Sequence, residues 1–235
     1  MFAGVARRYD FLNRSLSVGV DTIWRRRTVK RALRGRRAED TEVLDLCTGT
    51  GDLALAFAQQ GCAVLGLDFC PEMVVLGEEK RQKRLPKQAK LQRLRFGVAD
   101  AQALPLPNDA YDVATVAFGI RNVQNPLRGL RELARVLRPG GLLLVLEFAR
   151  PRTPVLGPLY LWYFRHILPK LGKLLSPGSR DHDAYGYLPE SVMSFPEREG
   201  FTRLMQEAGL EDCRYTAFHM GIAALYQGRV PGEGR

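Results

Sequence analysis

Short apolar runs alternate with amphipathic stretches through the middle of the chain. From Thr41 onward, each run has the length of a strand, and the stretches between the runs have the spacing of helices. Strands that alternate with helices are typical of βαβ units, which build a parallel sheet covered by helices on both faces. We therefore predict strands at 43–47, 63–67, 94–98, 111–118 and 142–148, with helices at 52–60, from Pro71 into the charged stretch 78–90, and at 126–137.

The two ends of the chain depart from this alternation. Residues 1–35 predict two helices, the second of them very basic, and 151–196 is a Pro-, Tyr- and Trp-containing stretch that we interpret as an inserted cap. A helix at 197–208 precedes strand-like runs at 214–219 and 221–227, which suit an antiparallel hairpin at the sheet edge. The expected architecture is one α/β domain over 1–235 with a seven-stranded, mainly parallel sheet. Its parts are an N-terminal helical segment (1–40), a core (41–150), the cap (151–196) and a C-terminal helix and hairpin (197–235).

The composition is that of an ordinary globular domain. Of the 235 residues, 46% are hydrophobic and 26% are charged, which excludes a disordered chain and a collagen-like repeat. The four cysteines contain no C-x-x-C pair, so we expect no metal site and a reducing compartment such as the cytoplasm. We also expect no export signal and no membrane-spanning segment.

The segment after the first predicted strand carries the clearest chemical signal. Gly49 and Gly51 let the backbone approach a nucleoside closely at the carboxyl edge of the sheet. Their spacing also fits the fingerprint of dinucleotide-binding proteins, in which a pyrophosphate lies on the helix N-terminus. Asp45 and Asp52 would repel that pyrophosphate, whereas they suit the ammonium and sulfonium groups of S-adenosylmethionine. Taken alone, Asp52 could also be a helix cap.

Two further acids stand at the ends of the next strands. Asp68 closes the second predicted strand, where its carboxylate can accept hydrogen bonds from both ribose hydroxyls. Asp100 follows the third strand and can accept from an adenine amino group, while the small Ala101 leaves room for the ring. Asp100 alone would more often be a turn residue. Together, the acids and glycines at successive strand ends predict a Rossmann-like class I methyltransferase fold.

Motifs outside this predicted cofactor site point to one family. They are YDFLN at 9–13, FGIRNV at 118–123, RVLRPGG at 135–141 and LEF at 146–148. With these motifs the chain resembles the ubiquinone/menaquinone biosynthesis C-methyltransferases over nearly its whole length. It departs from the family's pattern at Asp21, Thr48 and Ala117.

This resemblance implies an activity and further site residues. When the family's cofactor-binding residues are carried over by position, the residues expected to contact S-adenosylmethionine are Thr50, Asp68, Asp100 and Ala101. The implied reaction is methylation of a ring carbon of a polyprenylated quinol, demethylmenaquinol to menaquinol, with S-adenosylhomocysteine as the second product. Two alternatives stay open: the equivalent benzoquinol step of the ubiquinone pathway, and a non-catalytic binding partner in a quinone-synthesis complex.

Methyl transfer to carbon needs an electron-rich ring, which a quinol becomes when it loses a hydroxyl proton. We predict Arg121 as the group that stabilises the phenolate charge, with Asn122 and Tyr9 orienting it or a water molecule. The alternative for Arg121 is a surface salt bridge. Arginine does not readily act as a base, so a bound water, His166 or Asp183 is left to accept the proton.

The chain carries a formal net charge of +10, which suits nucleic acid, an anionic membrane or an acidic ligand, or is simply a solvated basic surface. No nucleic-acid partner is expected, because FGIRNV occupies the place of the Asn/Asp-Pro-Pro-aromatic motif that grips a flipped base. The apolar and basic cap predicts reversible docking at the inner face of the cell membrane. Packing of the cap on the sheet, or on a second subunit in a homodimer, is the alternative.

Overall fold

The computed structural model describes residues 19–154, 157 and 195–232. Tyr9, the first of the two N-terminal helices, and the cap apart from residues 151–154, 157 and 195–196 lie outside the described residues. The described strands are β1 (Glu42–Leu46), β2 (Ala63–Asp68), β3 (Leu94–Val98), β4 (Tyr111–Ala117), β5 (Leu137–Phe148), β6 (Glu211–Phe218) and β7 (Ala223–Arg229).

These strands form one seven-stranded sheet in the order β3-β2-β1-β4-β5-β7-β6. All pairings among β1 to β5 are parallel. The last two strands are antiparallel: β7 pairs antiparallel with β5, and β6 pairs antiparallel with β7. The predicted mainly parallel sheet with an antiparallel C-terminal hairpin is therefore confirmed.

The helices begin and end at residues that suit those positions. Pro71 and Pro126 lie in the first turn of their helices, where the missing N–H group is not needed. Asn125 caps the second of these by accepting a hydrogen bond from the N–H of Arg128 at 3.1 Å. In the described part of the chain, no helix combines the length and apolarity that crossing a bilayer requires. The described helices are α1 (Val20–Ala32), α2 (Asp52–Gln60), α3 (Pro71–Arg84), α4 (Pro126–Val136) and α5 (Glu199–Glu207).

Both faces of the sheet are covered, and each face has its own core. On one face, Trp24 of α1 and Phe57 of α2 belong to a buried cluster with Leu144 of β5. On the other face, Leu133 of α4 and Phe201 of α5 belong to a second buried cluster. Burial on both sides explains why the central strands are apolar throughout rather than alternating.

One strand boundary differs clearly from the prediction. β5 begins at Leu137 rather than at residue 142. Leu137 pairs with Tyr111, and a register shift follows before regular pairing resumes between Val113 and Leu142. The Pro-Gly-Gly segment between them therefore lies within β5 as an irregularity of the ladder, with Gly140 at a left-handed φ of 73°, although its composition indicates a turn.

The order of the strands creates a crevice at their carboxyl ends. β1 lies between β2 and β4, so the chain crosses over in opposite directions on its two sides, and ligands bind at such switch points in open α/β sheets. Cys47 directly after β1 and Phe118 directly after β4 have left-handed φ angles of 54° and 59°. Such conformations are uncommon outside glycine and cluster at functional sites.

Candidate active site

A cavity of about 390 Å³ opens at the carboxyl ends of β1 to β4. Its volume is typical of small-molecule sites. The described residues that line it are Leu46, Cys47, Gly49, Asp68, Phe69, Cys70, Met73, Ala99, Asp100, Ala101, Gln102, Ala117, Phe118, Gly119, Asn122, Val123 and Gln124.

The two glycines of the loop between β1 and α2 are needed for different reasons. Gly49 lines the cavity and has a φ of 57°. Gly51 has a φ of 82° and is not among the described lining residues. A Cβ atom at Gly51 would stand 2.4 Å from the ring of Phe96. Gly49 thus brings the backbone to the cavity, whereas Gly51 makes room for an aromatic ring that supports the loop.

Asp45 supports this loop from behind. Its side chain is buried and accepts hydrogen bonds from the hydroxyls of Thr48 at 2.6 Å and Thr115 at 2.7 Å. Burial raises its pKa to about 6, and the two hydroxyls oppose that rise. Asp45 is not among the described lining residues of the cavity, so its direct contact with the cofactor stays a prediction.

Thr50 and Asp52 share a lysine that the sequence reasoning did not consider. The ammonium group of Lys80 lies 2.8 Å from the hydroxyl of Thr50 and 2.8 Å from a carboxylate oxygen of Asp52. This ion pair balances the charge of Asp52, which therefore repels a pyrophosphate less than the sequence indicated. Thr50 is buried at this junction between α2 and α3, and its contact with the cofactor also stays a prediction.

Asp68 is the carboxylate that faces the cavity at the end of β2. One of its oxygens accepts from the N–H of Gly49 at 2.8 Å, and the other accepts from the N–H of Cys70 at 2.9 Å. Burial raises its pKa, and these N–H groups oppose the rise. The N–H of Gly49 is therefore already used by a carboxylate and is not available to a phosphate.

Asp100 and Ala101 form the wall of the cavity at the end of β3. Asp100 is exposed and accepts from the backbone N–H of Gln102 at 2.9 Å. Ala101 is buried, and Met73 and Val123 provide further apolar surface around the cavity. An acid at the rim of an apolar slot suits an adenine ring whose amino group donates a hydrogen bond.

These groups fit S-adenosylmethionine better than a dinucleotide. The charge of Asp68 does not distinguish the two, because dinucleotide-binding proteins also place an acid on the ribose. What disfavours a pyrophosphate is that Asp68 takes the N–H of Gly49 and that Asp100 adds a second carboxylate to the cavity.

The side chain of Arg121 forms a salt bridge, as the alternative interpretation expected, but the pair is buried rather than at the surface. Its Nη1 atom donates to a carboxylate oxygen of Glu147 at 2.8 Å and to the carbonyl of Phe118 at 2.7 Å. The two side chains of the pair are 7% and 1% exposed. Burial raises the pKa of Glu147, which the guanidinium group opposes.

The guanidinium group has a buried donor without an acceptor among the described residues. In the described part of the chain, the Nε atom of Arg121 is buried without a hydrogen-bond acceptor, and the group lies over the ring of Phe148 at 5.6 Å from its centroid. Arg121 is not among the described lining residues, although Asn122 next to it lines the cavity. The catalytic role of Arg121, Asn122 and Tyr9 stays a prediction, and Tyr9 lies outside the described residues.

The sequence named Glu147 only as part of the LEF motif and gave it no role in the site. It stands near the end of β5, where every residue from Gly141 to Glu147 is buried. A carboxylate in an otherwise apolar buried strand needs a partner. That signal is visible in the sequence, but the identity of the partner is not.

Aromatic rings close the site on the side of α1. Phe118 lines the cavity and stacks on Phe148 with their centroids 4.5 Å apart. Trp24 packs against Phe118 with a centroid distance of 6.0 Å and donates from its indole N–H to His219 at 2.6 Å. This cluster places a rigid apolar wall beside the Arg121–Glu147 pair.

Comparison with known proteins gives the family. The family model of the ubiE/COQ5 methyltransferases matches residues 1–229. The chain belongs to the ubiE/COQ5 methyltransferase family. This methyltransferase is 43% identical over 231 residues to the ubiquinone/menaquinone biosynthesis C-methyltransferase UbiE of Geobacter sulfurreducens, covering 97% of this chain and 86% of that protein. It is 44% identical over 233 residues to the demethylmenaquinone methyltransferase of Thermus thermophilus, covering 98% of this chain and 100% of that protein.

Solved structures show the same fold at low sequence identity. The methyltransferase matches a SAM-dependent methyltransferase from Aquifex aeolicus with a TM-score of 0.60 at 19% identity, covering 86% of this chain and 89% of that one. It matches another SAM-dependent methyltransferase, from Thermotoga maritima, with a TM-score of 0.63 at 18% identity, covering 96% of this chain and 97% of that one. The predicted fold class and family are confirmed, and S-adenosylmethionine is the methyl donor of this enzyme.

Proposed function

We propose that this methyltransferase methylates a ring carbon of a polyprenylated quinol, converting demethylmenaquinol to menaquinol in menaquinone biosynthesis. The names of its Thermus and Geobacter relatives support this substrate class. The observation that carries the proposal is the position of the acidic cofactor cavity directly beside an aromatic wall, Phe118, and the buried pair of Arg121 and Glu147. An apolar ring fits against that wall, and the adjoining charges suit its hydroxyl groups.

The residues on the cofactor side would hold and orient the methyl donor. S-adenosylmethionine, when bound, supplies an electrophilic methyl group. Asp68 would accept hydrogen bonds from the ribose, and Asp100 from the adenine amino group, since both carboxylates line the cavity. Asp45 would keep the loop in place through its hydrogen bond with Thr48. Holding both reactants at attack distance is a large part of the rate gain available to such an enzyme.

The residues on the acceptor side would stabilise the phenolate. Arg121 is held by Glu147 and by the carbonyl of Phe118, next to the cavity-lining Asn122, and its positive charge there would stabilise the phenolate oxygen. Asn122 lines the cavity and would orient that oxygen. Glu147 adds a carboxylate of raised pKa to the candidates for the proton acceptor, beside water, His166 and Asp183.

We also propose that the enzyme meets its substrate at the cytoplasmic face of the membrane, because a polyprenyl tail partitions into lipid. The docking predicted for the apolar and basic cap concerns residues that lie largely outside the described part of the chain. The homodimer that the sequence left open stays a prediction.

Turnover by the purified protein tests this function. With S-adenosylmethionine and reduced, short-tailed demethylmenaquinol, we expect a product heavier by one methylene in mass spectrometry. Transfer only to the corresponding benzoquinol would place the enzyme in the ubiquinone pathway. Failure to methylate either quinol, while calorimetry shows that S-adenosylhomocysteine binds, would contradict the proposal and favour the non-catalytic partner.

A further inference from the structure

A basic groove of about 840 Å³ lies between α1 and α2. Arg26, Lys30 and Arg34 follow one another at intervals of four residues, so they form one row along α1 and its C-terminal end. Arg27 and Arg31 form a second row beside it. The facing wall on α2 consists of Ala56, Gln59 and Gln60.

Among the residues that the structure describes, no acid balances the positive charge of this groove. In the described part of the chain, none of its five basic side chains forms an ion pair, and no Asp or Glu lines the groove. Arg31 donates to the side-chain oxygen of Gln227 at 2.7 Å, which is a neutral partner. Burial lowers the pKa of Arg31, and the neighbouring guanidinium groups of Arg214, Arg34 and Arg229 lower it further.

Some basic residues elsewhere on the described surface are paired with acids. Arg81 lies 2.6 Å from Glu78, and Arg135 lies 2.8 Å from Glu132. The groove differs from those sites because five basic side chains line one concave surface and no described acid lines it. Clustered like charges repel one another, and a bound anion relieves that repulsion.

We propose that this groove binds the phosphate groups of a ligand that carries several of them. Guanidinium groups match phosphate oxygens in a bidentate fashion, and ammonium and amide groups add further donors. The two rows of cations extend along a helix, which suits a chain of phosphates or an array of phospholipid headgroups better than a single anion.

The groove is separate from the candidate active site, so this inference goes beyond the proposed function. α2 ends at Gln60, shortly before β2 begins at Ala63, which places that end of the groove near the amino ends of the strands. The cofactor cavity lies at their carboxyl ends. A ligand in the groove would therefore occupy neither the methyl-donor nor the acceptor position.

Two binding measurements with a matched pair of variants test the inference. Sodium tripolyphosphate is titrated by calorimetry, and vesicles containing phosphatidylglycerol are used in flotation, both at low salt. The groove variant combines Arg26→Gln, Lys30→Gln and Arg34→Gln, all at exposed positions. The control variant combines Lys83→Gln, Lys87→Gln and Arg203→Gln, which remove the same formal charge from exposed positions elsewhere.

We expect the groove variant to bind about 100-fold more weakly than the wild type, and the control variant to bind nearly as well. Tripolyphosphate binding that depends on the groove identifies a soluble phosphate ligand, whereas groove-dependent binding of vesicles alone identifies lipid headgroups. Binding of neither probe, or equal weakening in both variants, would overturn the inference. Methylation of a short-tailed quinol is measured separately and should be the same in both variants, so a failure of the proposed function would be distinguishable.

Discussion

Four carboxylates near the cofactor cavity have four different surroundings. Asp45 is buried and bonded to two hydroxyls, and Asp68 accepts two backbone N–H groups at the cavity. Asp100 is exposed at the rim, whereas Glu147 is buried against Arg121. The same chemical group can therefore support a loop, face a ligand or hold a guanidinium group. Which of these it does depends on burial and on the donors within reach.

The surroundings of Asp45 predict a pH-dependent stability. Burial raises its pKa from 3.8 to about 6, so the folded state holds the proton more tightly than the unfolded state. The stability contributed by this proton is present below the unfolded pKa and is lost as the pH rises through the folded pKa. In Asp45→Asn this titration is absent. Relative to the wild type, its free energy of unfolding should therefore rise by about 2–3 kcal/mol between about pH 4 and pH 7.

Urea denaturation at several pH values measures this difference. Asp109→Asn is the control, because Asp109 is exposed and Asn tolerates its left-handed φ of 54°. A difference between Asp45→Asn and the wild type that stays constant with pH would contradict the prediction.

Substitutions in the Arg121–Glu147 pair should affect the stability of the protein and its turnover differently. Glu147→Leu leaves a buried guanidinium group without its carboxylate, so we expect a loss of about 3–5 kcal/mol in urea denaturation. Adding Arg121→Met removes the remaining charge and should recover most of that loss. The double variant should still bind S-adenosylhomocysteine but transfer methyl groups far more slowly, because it lacks the group that we propose to stabilise the phenolate. Wild-type turnover by a stable double variant would exclude the pair from the mechanism.

At the scale of elements, the loops after β1 and β4 shape the candidate site more than the strands do. Cys47 and Phe118 take left-handed conformations that turn the chain sharply at the strand ends. The two loops also touch, since a Cβ atom at Gly119 would stand 2.3 Å from the Cβ of Cys47. The loop after β1 is backed in turn by Phe96 of β3, so three strands hold its geometry.

The contact between this loop and Phe96 predicts an energetic coupling. Gly51→Ala should destabilise the protein by about 2–4 kcal/mol, because it adds both backbone strain at a φ of 82° and a clash with the ring. Phe96→Leu should relieve the clash but not the strain. In a double-mutant cycle we therefore expect a coupling free energy of about 1 kcal/mol or more.

Gly140 provides the matched control for this cycle. It has a φ of 73°, but an added Cβ atom would meet nothing within 4 Å. Gly140→Ala should show strain alone and no coupling to Phe96→Leu. Additive effects of Gly51→Ala and Phe96→Leu in urea denaturation would show that the ring does not restrict the loop.

At the scale of the whole molecule, α1 links the two proposed ligand regions. Trp24 near its start packs against Phe118 at the cavity, whereas Arg31 and Arg34 near its end line the basic groove. The formal net charge of +10 is thus distributed unevenly, with uncompensated cations in the groove and carboxylates at the cofactor cavity. This separation lets the chain present opposite charges to two chemically different ligands.

The sequence by itself determined the sheet, its mainly parallel pairing and the placement of Asp68 and Asp100 at strand ends. It could do so because apolar periodicity reports the burial of each element, and parallel strands bring their carboxyl ends to one edge. The YDFLN and FGIRNV motifs also sufficed to indicate the family.

Only the tertiary structure decided which side chains meet at that edge. Arg121 and Glu147 are 26 residues apart and come together because β4 and β5 pair with Ala117 opposite Leu146. Asp52 of α2 forms an ion pair with Lys80 of α3, and Gly51 lies against the ring of Phe96 on β3. Such contacts depend on strand register and loop conformation, which local patterns do not specify, so the charge on each candidate residue became known only from its neighbours in space.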